Sequence, residues 1–193
     1  MNIVLTGGPF SGKTTLLHEM RKMGYPVVEE VAIDVIQREI ATRGVVEFQN
    51  WKRHNLVEFQ TTILAEQKRR EDIVADKVIQ EAMGSQSIIF DRGTLDGIAY
   101  LEYHGVTPSA SFVKSALNSQ YDLVLICETL PDFDSRQNTG RSESGVKSHA
   151  LSRVMGEVYH RYGYLTMKME TLPVLERTNR LISYIVSANR ESS

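Results

Sequence analysis

The sequence predicts an α/β fold, a parallel sheet with helices packed on both faces. Two observations carry this expectation. Short, nearly continuous apolar runs, the pattern of strands buried on both sides, alternate along the chain with stretches of helical periodicity. The first of these runs also leads directly into "GGPFSGKTT", a glycine-rich loop that opens a helix. Ligands of such folds bind beyond the carboxyl ends of the strands, so the residues just after each strand are the ones that matter.

The elements follow in order. "NIVLT" (2–6) is the first strand, and Lys13 to Met23 is a helix that stops at Gly24. "YPVVEE" (25–30) is a second, shorter strand, followed by a helix from Val31 to Thr42 that stops near Gly44. Leu56, Phe59 and Ile63 recur at helical spacing inside one long helix from about Phe48 to Met83, ended by Gly84. "SIIFD" (87–91) is the next strand. Thr107 and Pro108 are suited to the N-cap and first turn of a helix reaching about Asn118. "DLVLIC" (122–127) is a further buried strand, and Leu151, Val154, Met155, Val158 and Tyr162 form one apolar helical stripe. "YLTMKME" (164–170) is the last strand, and Pro173 opens a final helix to about Val186.

The 193 residues, 41% hydrophobic and 24% charged, fit one globular domain over 1–193. A net charge of -2 gives no overall attraction to nucleic acid or to an anionic membrane, so neither is expected as a partner. No apolar run reaches the ~18 residues of a membrane span, and the N-terminus lacks the pattern of a secretory leader. The single cysteine, Cys127, lies in an apolar strand and is expected to be a core residue; a chain without disulfides suits a reducing, cytoplasmic setting. Nothing in the sequence specifies an oligomeric state.

Gly7, Gly12, Lys13 and Thr14 fit the spacing G-x-x-x-x-G-K-[ST] between a strand and a helix. Gly7, Gly8, Pro9, Phe10, Ser11, Gly12, Lys13, Thr14 and Thr15 are thus expected to wrap a nucleotide's phosphates. The loop amides and the helix N-terminus supply donors and positive potential. Lys13 adds a point charge near the β- and γ-phosphates, and the Thr14 hydroxyl is a ligand for Mg²⁺. Phe10 has no chemistry of its own. The expected cofactors are ATP and Mg²⁺.

The other side of the cleft should come from the remaining strand ends. Asp91 ends a buried strand, placed to hold the Mg²⁺ shell opposite Thr14 or to take a proton from an attacking hydroxyl. Arg92 follows it and suits bidentate clamping of a phosphate or carboxylate. Glu29 and Glu30 follow the second strand. Because successive residues point to opposite faces, one of the two is expected to enter the cleft as a general base or ribose ligand. Asp34, one turn later, is a weaker candidate. The stretch 131–149 has no apolar periodicity and is expected to be a lid, with Arg136, Arg141 and Lys147 as charges, Gly140 and Gly145 as hinges, and Arg153 just beyond.

The run of "GGPFSGKTT", "GYPVVEEVAIDVI", "FDRGTLDGIAYL" and "YHRYGYLTMKMETLPVLER" resembles the P-loop kinases and AAA-type ATPases related to the nicotinamide riboside kinase domain of the bacterial NAD regulator. The resemblance covers nearly the whole chain. It implies a three-layer α/β/α P-loop NTPase fold of nucleoside-kinase type, with a five-stranded parallel sheet in the order 2-3-1-4-5. It also implies that Gly7 to Thr15 hold the triphosphate, that Asp91 and Arg92 face the acceptor and the metal, and that residues 171–173 lie near the adenine. One position departs from the pattern: the resemblance leads to an arginine where this chain has Ile33, which implies a different acceptor side.

The reading that results is a kinase moving the γ-phosphoryl of ATP to a small hydroxyl acceptor such as a nucleoside or riboside. Lys13, Asp91, Arg92, Glu29 or Glu30, Arg136 and Arg141 are its catalytic candidates. The alternative is a regulatory ATPase whose bound nucleotide is read by a protein partner. Both require the loop, so Lys13→Ala is expected to abolish ATP binding in calorimetric titration.

Overall fold

The computed structural model describes residues 1–81, 86–130 and 145–191. Its strands are β1 (Asn2–Thr6), β2 (Val27–Val28), β3 (Ile88–Asp91), β4 (Leu123–Cys127) and β5 (Thr166–Met169). They form one parallel sheet in the order β2-β3-β1-β4-β5, the order the resemblance implies. The helices are α1 (Lys13–Lys22), α2 (Ala32–Arg43), α3 (Val45–His54), α4 (Leu56–Gln80), α5 (Asp96–Tyr103), α6 (Ala110–Ala116), α7 (Gly145–Arg161) and α8 (Val174–Glu191).

Alternation along the strands divides the core in two. Val4, Phe90 and Val124 face the layer of α4, α5 and α7. Ile3, Leu5, Ile89, Leu123 and Leu125 face α1 and α8. Both sets are almost wholly buried, which explains why β1, β3 and β4 read as continuous apolar runs. A third cluster, Val35, Phe48 and Phe59, lies where α2 and α3 fold against α4.

Two expectations of local structure are corrected, and a third falls mostly outside the described residues. The single helix expected from Phe48 to Met83 is two, α3 and α4, broken at Asn55 (φ −125°). Asn55 folds its own amide back onto the Trp51 carbonyl at 2.9 Å, a local bond that competes with helix propagation. The break lets Phe59 meet Phe48 and Trp51 edge-on, with Phe48 and Trp51 tilted against each other and ring centroids 5.9–6.4 Å apart. The helix expected to start at Thr107-Pro108 is instead capped by Ser109, whose hydroxyl accepts from the Phe112 amide at 3.2 Å. The lid expected over 131–149 is already helical from Gly145, and its remainder, with Arg136 and Arg141, lies outside the described residues.

Among the described residues no helix is long and apolar enough to cross a membrane. Leu5 is fully buried near the end of β1, packed in the core just before the loop that follows. Leu5→Ala is expected to lower stability by about 3 kcal/mol in urea unfolding.

Candidate active site: a phosphate loop facing a carboxylate–arginine cluster

The loop between β1 and α1 is built by close approaches. Gly12 precedes α1 with φ +73°, a conformation that favours glycine, and a Cβ there would lie 2.5 Å from Nη1 of Arg177 in α8. At Gly8 a Cβ would collide with Ser148 of α7. The contact is polar: the Gly8 amide donates to Ser152 Oγ at 2.7 Å, and Ser148 Oγ donates to the Pro9 carbonyl at 2.9 Å. Phe10 takes φ 58°, rare for a residue with a side chain, and its carbonyl accepts from the Leu130 amide. Phe10 thus contributes backbone shape, while Ser11 Oγ donates to the Gly8 carbonyl at 3.0 Å.

Lys13 lies folded over this loop. Its ammonium donates to the carbonyls of Gly7 (3.2 Å) and Gly8 (2.9 Å) and to Ser11 Oγ (2.9 Å). Burial, and then the neighbouring Arg92, hold its pKa down to about 8 from the usual 10.5. Thr14 and Thr15 open α1 and are exposed. The Thr14 hydroxyl donates to Asp91 Oδ2 at 3.0 Å, across the gap between α1 and the end of β3.

Asp91 is 1% exposed, and its other oxygen, Oδ1, has no partner. Burial pushes its carboxyl up, with Lys13 pulling the other way. A hydroxyl and a buried carboxylate with an unused oxygen, side by side at a phosphate loop, are the donor set of a Mg²⁺ that keeps most of its waters. The residues therefore fit the ion, with Thr14 and Asp91 as the groups that would hold it or its water shell.

Arg92 is the centre of the opposite side. Its backbone adopts φ 75°, anchored by its amide donating to the Leu5 carbonyl at 2.9 Å and its carbonyl accepting from Gln67 Nε2 at 3.2 Å. Its guanidinium donates from Nε to Glu30 at 2.8 Å, and from Nη1 to Asp96 at 3.1 Å and to the Gly7 carbonyl at 3.2 Å. Nη2 is buried without a partner. Burial works against the charge, but Glu30, Tyr100, Asp96 and Asp91 overcome it and hold the group firmly protonated. Asp96 is itself fixed by Thr6 Oγ1 (2.7 Å) and by the Tyr159 hydroxyl of α7 (2.8 Å).

The two adjacent glutamates separate as strand alternation requires. Glu30 is buried against Arg92, whereas Glu29 is half-exposed and paired with Arg21 at 2.6 Å. Asp34 is also exposed and pairs with Arg70 at 2.5 Å. Arg153 is exposed, 3.9 Å from Glu157. Cys127 is buried as expected; burial pushes its thiol up, against the pull of nearby Arg177 and Lys13.

A cavity of about 250 Å³ opens beside Glu30 and Arg92. Phe48, Phe59, Ile36, Ile63 and Leu64 give it apolar walls, and Gln37, Gln49, Gln60 and Gln67 add amides. Ile33 lines it too. Gln60 is buried, and no hydrogen bond engages its amide among the described residues. Sequence reasoning missed Gln60, Gln67, Asp96 and Arg177. The four-residue spacing of Arg92 and Asp96 in "DRGTLD" is a signal for one of them; the glutamines stand in an ordinary amphipathic helix and carry none.

Strand, glycine loop, lysine and threonine facing a strand-end Asp–Arg pair define a P-loop protein of the kinase/ATPase class. The profile of the AAA_28 family, an AAA domain, matches residues 2–177, and the chain belongs to that family. No curated protein matches the sequence. Solved structures match the fold, among them three of deoxyadenosine kinase from M. mycoides. That with the products dCMP and a flexible dCDP is 17% identical, with a TM-score of 0.61 over 97% of this chain and 100% of that one. That with dATP is 16% identical, with a TM-score of 0.59 over 96% and 99%. That with dCTP is 14% identical, with a TM-score of 0.64 over 97% and 100%. At these identities the likeness is one of fold, a nucleoside-kinase-like P-loop fold.

The depressed Lys13 pKa has two opposite consequences. Between about pH 8 and 10.5 the unfolded chain holds the proton that the folded chain has lost, so nucleotide-free stability rises with pH across that window, by a few kcal/mol. Over the same window the loop loses its cation and nucleotide affinity falls. Urea unfolding and calorimetric titration against Lys13→Met, which should show neither trend, check both.

Proposed function

We propose that this protein is a kinase that transfers the γ-phosphoryl of ATP to a hydroxyl of an uncharged, nucleoside-like acceptor. The observation that carries the reading is the cavity of about 250 Å³ bordered by Glu30 and Arg92 at one end and walled by aromatic, aliphatic and amide side chains. Its size and lining suit a flat ring held between apolar surfaces and read by amides. The fold likeness to deoxyadenosine kinases agrees with an acceptor of this kind.

The charges in the cavity argue for a nucleoside over a nucleotide. Arg92 is committed to two carboxylates, and Lys52 lies over the Phe59 ring at 5.0 Å. Ile33 adds an apolar surface where the resembling pattern would add an arginine. No cluster of open cations awaits an acceptor phosphate among the described lining residues.

The chain's residues divide the work. The Gly7–Thr15 loop and Lys13 hold the donor phosphates, with Thr14 and Asp91 on the metal side. Mg²⁺ held there would supply charge that neutralises the transferring phosphate. Arg92, through the unpartnered Nη2, orients the acceptor hydroxyl, and Glu30 takes its proton. As that proton moves to Glu30, the acceptor oxygen forms its bond to Pγ and the bond from Pγ to the bridging oxygen breaks, releasing ADP.

A panel of nucleosides and ribosides offered with ATP is expected to raise ADP production for at least one member. Hydrolysis that no acceptor stimulates would favour the regulatory ATPase instead. With the active acceptor, Glu30→Gln is expected to lower kcat about 100-fold. Gln60→Leu should raise the acceptor KM about tenfold with little change in kcat, and Glu29→Gln should leave both near wild type.

A further inference from the structure

Arg177, in the first turn of α8, is a buried arginine with no counter-ion among the described residues. It is 2% exposed, and neither Nε nor Nη2 has a hydrogen-bond partner. Nη1 lies 2.5 Å from where a Cβ of Gly12 would stand, with Leu130 as the next neighbour. No ion pair engages it among the described residues, unlike Arg92, which has two carboxylates. A guanidinium cannot shed its proton to escape burial, so a site that leaves it unpaired is incomplete. The group stands against the glycine that begins the lysine-bearing end of the phosphate loop, where an anion is due to arrive.

We propose that Arg177 is a second cationic anchor for the donor nucleotide, pairing with its phosphates from the α8 side of the loop. The inference rests on the reading that this loop binds ATP. The fork of donors at Nε and Nη2 suits two oxygens of a phosphate, and glycine at position 12 is what allows the guanidinium so close to the chain. Bound nucleotide then completes the charge balance of α8 as well as that of Lys13, so closure of the site is felt on the face of the sheet opposite the acceptor cavity.

The proposal separates from a purely structural role by the sign of its effects. Arg177→Met removes an unpaired buried charge and keeps the volume. Without nucleotide the variant is expected to melt at the wild-type temperature or above it. Its affinity for ATP, ADP and inorganic tripolyphosphate should fall by at least about tenfold in calorimetric titration, the usual scale for a charge-assisted bond. A Met variant that melts lower or fails to fold, beside an Arg177→Gln variant of unchanged affinity, overturns the proposal in favour of packing. Loss of ATP affinity with tripolyphosphate unaffected overturns the phosphate assignment, since the contact would then be to the nucleoside. Wild-type protein that binds none of the three overturns the loop reading itself, a failure distinct from that of Arg177.

Discussion

The rest of the site depends on one constraint: Arg92 is held in a left-handed backbone conformation with its guanidinium locked between two carboxylates. Such a conformation costs about 1–3 kcal/mol for a residue with a side chain and persists only where its surroundings over-determine it. Here they do. The Leu5 carbonyl fixes the amide, Gln67 of α4 fixes the carbonyl, Glu30 fixes Nε, and Asp96 and the Gly7 carbonyl fix Nη1. One residue thereby ties β1, the phosphate loop, α4, α5 and the end of β2 together.

That tie extends in both directions. Asp96 passes it to Thr6 at the end of β1 and to Tyr159 of α7, and α7 in turn touches the loop through Ser148 and Ser152. Gln67 passes it to Glu71, a buried carboxylate that burial pushes toward the neutral form and that accepts from Gln67, Ser119 and Tyr121. The phosphate loop and the cavity beside Glu30 and Arg92 therefore share one polar frame. For the proposed phosphoryl transfer, where little beyond positioning and electrostatics is asked of a protein, such a frame would be the main requirement.

The sequence made the phosphate loop legible because its pattern is local: nine consecutive residues, 7–15, carry the glycines, the lysine and the threonine. Strand order and layers followed from buried apolar runs and from the resemblance. The proposed acceptor side was legible only where a strand end marks it, at Asp91, Arg92 and the paired glutamates. Alternation said that one glutamate enters, but only the packing of Arg21 against Glu29 and Arg92 against Glu30 says which. Gln60 and Gln67 line the cavity only through the tertiary packing of α4, and the break at Asn55 that sets up its N-terminal packing hides inside a continuous helical pattern.

The glycines of the loop show why a short motif can specify so much. A glycine in such a loop is usually explained by the room a phosphate needs. Two here are also required by the protein behind the loop: Gly8 admits Ser148 of α7, and Gly12 admits Arg177 of α8. The loop is thus shaped from outside as well as from the ligand side, by helices from the two opposite layers of the fold. A loop with glycine only where phosphate demands it would be free to relax when empty. This one is held in its wrapped form from behind, by α7 at Gly8 and α8 at Gly12, with its lysine bonded to its own carbonyls.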